Sequence, residues 1–71
     1  MFNDSCYYVS LAYNGGYSVV VRNMLISDFL AEFEHRRGAF PHIMSITPIS
    51  EDEFYDLSER YFGTEDTFDG E

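Results

Sequence analysis

Seventy-one residues with a single cysteine, Cys6, bound this chain to one small domain without an intrachain disulfide, whose core must come from packing. Thirteen acids face four arginines and no lysine, and the resulting net charge of −9 repels nucleic acid and anionic membranes while attracting basic surfaces. No stretch approaches the roughly 18–20 apolar residues of a membrane span, and Asp4 stands where a signal peptide would be basic, so a complete, cytoplasmic chain is expected, inside a host cell if it is phage-encoded.

Residues 6–13, CYYVSLAY, alternate with Tyr7, Val9, Leu11 and Tyr13 on one face. Asn14-Gly15 follows, a pair that tolerates positive φ and marks a hairpin turn. Residues 17–23 form the return strand, with Tyr17, Val19 and Val21 alternating with Ser18, Val20 and Arg22. Ser27 reads as an N-cap for a helix to Arg37, with Asp28 in its first turn and Phe29, Leu30 and Phe33 on its apolar stripe. Gly38 is placed to close that helix in the left-handed conformation.

Residues 42–47, HIMSIT, form a third strand that Pro48 ends, with Met44 and Ile46 on one face. Ser50-Glu51-Asp52-Glu53 is a capping box. The helix it opens runs to about residue 61 and puts Phe54, Leu57 and Tyr61 on one stripe, with Phe62 adjacent and Gly63 as its C-cap. Residues 64–71, TEDTFDGE, carry one aromatic and four acids and read as a flexible acidic tail beyond a domain of residues 1–63. The expected class is α+β, in the order β-β-α-β-α: a three-stranded antiparallel-type sheet with helices packed on it. Its open edges are sites at which strands pair.

Charge is unevenly distributed. Residues 1–50 hold Asp4, Asp28, Glu32 and Glu34 against Arg22, Arg36 and Arg37, net −1. Residues 51–71 hold nine acids against Arg60, net −8.

The residues support no reading as an enzyme. His35 and His42 are separated by Gly38 and Pro41, so with Cys6 they lack a zinc spacing. Cys6 with a remote histidine is only the minimum for thiol catalysis. Asn14-Gly15-Gly16 lacks the lysine and following helix of a phosphate loop, and residues 65–71 lack the ligand spacing of an EF-hand. No cofactor and no metal is expected.

The remaining candidate is a partner-binding surface. Glu51, Asp52, Glu53, Asp56 and Glu59 spread negative charge over roughly 12 Å of helix, and Glu65, Asp66 and Asp69 extend the row. The competing reading is a solvated helix face and a solubility tail. The hairpin tyrosines Tyr13 and Tyr17 are further contact candidates, against ordinary cross-strand aromatic pairing.

A short acidic chain with a β-hairpin, then Ile26-Ser27-Asp28-Phe29 opening a helix, then a strand, resembles the uracil-DNA glycosylase inhibitors of Bacillus phages over residues 5–48. That resemblance implies a dimeric DNA mimic. The chain departs from the family in carrying Arg22 on its second strand and in its second helix, so no binding residue is carried over. More loosely it resembles phage-encoded anti-defence proteins, including anti-CRISPR inhibitors. The expected function is a non-catalytic inhibitor of a basic nucleic-acid-binding protein such as a CRISPR effector or uracil-DNA glycosylase. The alternative is a homodimeric structural or assembly module.

Overall fold

A computed structural model describes residues 5–70. The elements are β1 (Cys6–Ala12), β2 (Tyr17–Arg22), α1 (Ile26–Arg37), β3 (His42–Ile49), α2 (Glu51–Leu57), a π-helical turn (Ser58–Phe62) and β4 (Thr67–Asp69). The strands form one sheet in the order β3-β1-β2-β4. β1 pairs antiparallel with both β2 and β3, whereas β4 lies parallel to β2.

The hairpin forms where the sequence marks it. Gly16 N–H donates to the Tyr13 carbonyl across Asn14 (φ 50°) and Gly15 (φ 85°), two adjacent positive-φ residues whose twist matches a tight hairpin. Alternation then sorts the side chains. Val9, Leu11, Val19 and Val21 are fully buried on one face against Phe29 and Phe33 of α1. Cys6 and Val20 are buried on the other face against Phe54 of α2. The helices therefore cover opposite faces of the sheet, each supplying phenylalanine to its own cluster.

Five expectations are corrected. First, residues 64–70 are not a tail. They carry the fourth strand, and Phe68, paired in register with Val21, is fully buried among Phe29 and Phe33. Its ring meets Phe29 edge-on at 5.0 Å and stacks on Phe33 at 6.1 Å. Burial of one large aromatic on a surface prepared by α1 outweighs the poor strand propensity of its acidic neighbours. Glu71 lies outside the described residues. Second, the sheet is consequently four-stranded and mixed rather than three-stranded and antiparallel.

Third, α1 begins at Ile26, with Leu25 at the N-cap position and no side-chain cap; Ser27 lies inside the first turn. Gly38 does close the helix in the left-handed conformation, donating to the Glu34 carbonyl. Fourth, β3 runs through Pro48 to Ile49. Pro48 is tolerated because β3 is an edge strand. A bulge leaves Met44 without a partner residue: Leu11 pairs with Ile43 and Ser10 with Ser45. The extra residue shifts the alternation, so Ile43 and Ile46, not Met44 and Ile46, fall opposite Leu11 and Val9.

Fifth, the apolar stripe of the second helix changes phase. The capping box forms as expected, with Ser50 Oγ accepting from Glu53 N–H at 3.1 Å and Glu53 Oε1 accepting from Ser50 N–H at 3.0 Å. After Leu57 the helix widens into a π turn, which Gly63 closes by donating to the Ser58 carbonyl. The wider turn delays the stripe by one residue. Phe62 turns inward toward Tyr8, with ring centroids 6.1 Å apart, and Tyr61 is left 71% exposed.

Candidate partner-binding surface

Folding engages all four arginines with carboxylates. Arg22 bridges Glu51 (2.9 Å) and Asp69 (2.9 Å), joining the start of α2 to β4. The register puts Arg22 directly beside Asp69, so this pair follows from the parallel pairing of β2 and β4. Its guanidinium also lies 5.4 Å from the centre of the Tyr55 ring. Desolvation works against the Arg22 charge, but the carboxylates of Glu51 and Asp69 outweigh it and raise the pKa.

Arg36 pairs with Glu32 one turn back at 3.1 Å. Its Nη1 reaches the carbonyls of Thr64 and Glu65, both at 3.2 Å, and the guanidinium sits 4.0 Å over the Phe68 ring. Arg37 binds Asp66 at 2.7 Å and donates to the Tyr17 hydroxyl, which itself donates to Asp66. Burial, followed by the hydrogen bond to Asp66, raises the Tyr17 pKa above 10.0, because the anion would be both desolvated and set beside a carboxylate. Arg60 pairs with Asp56 at 2.8 Å on the exposed side of the second helix.

These contacts divide the expected partner-binding residues. Asp66 and Asp69 hold β4 to the sheet through Arg37 and Arg22, and Glu51 shares Arg22. Glu53 stays exposed, with one carboxylate oxygen in the capping box. Asp56 is exposed and paired with Arg60, while Asp52, Glu59 and Glu65 are exposed and form no ion pair among the described residues. Tyr13 and Tyr17 are half-buried against Phe33, at 5.2 and 6.3 Å between ring centres, so most of their area already belongs to the α1-side cluster.

That Arg22, Arg36 and Arg37 hold the C-terminal segment was not expected from the sequence. The available signal was one phenylalanine within an acidic run, in a chain where three of the four arginines, Arg22, Arg36 and Arg37, precede the second helix. Asp52, Asp56 and Glu59 are brought together. Their spacing of four and three residues places them along one side of the second helix, while Phe54 and Phe62 face the sheet. With Glu53 beside them they form a compact acidic face carrying one arginine. His35 and His42 are exposed on separate elements, α1 and β3. Among the described residues, no helix is long and apolar enough to cross a membrane. Comparison with known proteins found no matching family model, no similar curated protein and no similar solved structure.

Proposed function

We propose that this protein is a non-catalytic inhibitor that imitates the charge of nucleic acid and blocks a basic nucleic-acid-binding protein, such as a CRISPR effector or a uracil-DNA glycosylase. One observation carries the reading. The chain has no lysine, and each of its four arginines is already bound to a carboxylate within the fold, so little positive charge is left to offset Asp52, Glu53, Asp56 and Glu59 on the outer side of the second helix. A surface kept soluble by charge ordinarily mixes signs. Here the four acids of the second helix lie on average about 3.5 Å apart along its axis, comparable to the roughly 3.4 Å charge spacing along one strand of duplex DNA. A groove lined with lysine and arginine for a nucleic-acid backbone would accept such a face.

Binding through this face is electrostatic and weakens with salt, because the Debye length contracts from about 10 Å at 0.1 M to about 3 Å at 1 M. Titrating a captured partner with salt tests this. Loss of the complex at moderate salt is the expected result, and a complex indifferent to salt rejects the reading.

A further inference from the structure

The outer edge of β3 differs from the rest of the surface. Backbone alternation settles which of its groups face outward. Asn23 N–H donates to the Ser5 carbonyl, so Tyr7, Val9 and Leu11 exchange their bonds with β2, while Cys6, Tyr8 and Ser10 turn toward β3. Their partners there are Ile49, Thr47 and Ser45. Ile46 therefore directs both its N–H and its C=O away from β1, and Pro48 directs its C=O the same way with no N–H to offer. The side chains around this edge are apolar: Phe40 is 56% exposed, Met44 67% and Ile46 39%. Residues 39–50 contain no Asp, Glu or Arg. Edge strands are commonly blunted by charge, by proline or by a bulge; β3 carries no charge, and its Pro48 and its bulge at Met44 lie on either side of Ile46 and leave that residue's own N–H and C=O open. The opposite edge of this sheet follows that rule, since β4 is three residues long and carries Asp69, with Glu65 and Asp66 just before it.

We propose that β3 pairs antiparallel with β3 of a second copy of this chain, joining two four-stranded sheets about a two-fold axis at Ile46. Charge selects this occupant. A basic partner finds no carboxylate on residues 39–50 and binds elsewhere, whereas two neutral edges let two bodies of net −9 meet where their mutual repulsion is smallest. The two-fold also suits the backbone. Ile46 opposite its own copy exchanges both hydrogen bonds, and each Pro48 falls to the flank, opposite Met44, where its missing donor costs the pair one bond rather than the centre.

This interface is independent of the acidic face and has the opposite salt response. Screening weakens the repulsion between copies, so association strengthens as salt rises. Sedimentation equilibrium on the full chain, from low to high micromolar concentration, tests it. The mass should move from one 8.3 kDa chain to two, with a dissociation constant falling ~10-fold between about 0.05 and 0.5 M salt. The M44K/I46K double variant lowers the net charge to −7, yet should remain a single chain throughout, because the lysine at position 46 meets its own copy across the axis and the lysine at position 44 lies beside that pair. Met44→Lys alone, at a more exposed position, should weaken the dimer in the same direction with the fold undisturbed. The D52N/E59Q variant, also net −7, should dimerise at least as well as the parent. A single-chain mass under all conditions, or a dimer that the β3 lysines leave intact, overturns the proposal.

Discussion

Phe68 separates a folded C-terminal strand from a loose acidic segment. Its side chain is fully buried against Phe29 and Phe33, with the Arg36 guanidinium over its ring. Truncating a buried phenylalanine to alanine costs about 3–5 kcal/mol through lost transfer energy and the cavity left behind. Loss of the cation–π contact adds about 0.5–1 kcal/mol at this partly exposed arginine. A chain of this length has a total stability of only about 4–11 kcal/mol. Phe68→Ala should therefore lower Tm by roughly 15–30 °C, or leave the chain unfolded at ordinary temperature. Thermal melting by circular dichroism reads this directly, and Phe68→Leu, which keeps much of the volume, should lose markedly less. A Tm within about 4 °C of the parent, equivalent to less than about 1 kcal/mol, would refute a load on β4 and return residues 64–70 to solvent.

Phe62→Ala should destabilise by about 2–4 kcal/mol while Tyr61→Ala stays within about 0.5 kcal/mol, an order that urea unfolding checks and that an unbroken α-helix would reverse. Gly70→Ala should cost about 1–3 kcal/mol in the same assay, since a Cβ there would lie 2.0 Å from the Asn23 carbonyl oxygen; unchanged stability would show that the end of β4 does not close on that loop. Tyr17 gives a pH signature. Its pKa is raised in the folded state, so the folded protein holds its proton longer than the unfolded chain does. Stability is full below pH 10.0 and falls as the pH rises beyond it, and Tyr17→Phe should remove that part of the alkaline loss; identical alkaline melting curves for the two proteins would contradict the Arg37–Tyr17–Asp66 geometry.

The parts of the fold legible in the sequence are those fixed by contacts near in the chain. Asn14-Gly15 marks its hairpin, Gly38 its helix end and Ser50/Glu53 its capping box because each acts through the local backbone. β4 is invisible at that range. Thr67-Phe68-Asp69 is too short to establish an alternating pattern and sits among Glu65, Asp66 and Gly70, and its partners Val21, Arg22 and Arg36 lie far back along the chain. The bulge at Met44 and the π turn after Leu57 are single-residue shifts, set by how β3 meets β1 and how Phe62 meets Tyr8, and hydropathy carries no mark of them. The acidic character of the last third was plain in composition. Its division was not, because which acids serve the fold depends on where Arg22 and Arg37 end up. Glu53 shows the consequence. It lies on the acidic face and is also the reciprocal member of the capping box, so replacing it would cost about 1 kcal/mol of helix stability before any partner is considered.

Asp52, Asp56 and Glu59 test the proposed capture of a nucleic-acid-binding protein by the outer acidic face of the second helix without touching the core or the capping box. Replacing all three with lysine moves the net charge from −9 to −3, and circular dichroism should show the fold retained. The measurement is capture from a nuclease-treated bacterial lysate on immobilised parent and triple variant, followed by elution with duplex DNA. The parent should retain a nucleic-acid-binding protein that duplex DNA displaces, and the folded triple variant should retain none of it. The same protein held equally by both, or no protein released from the parent by DNA, would contradict the proposed capture.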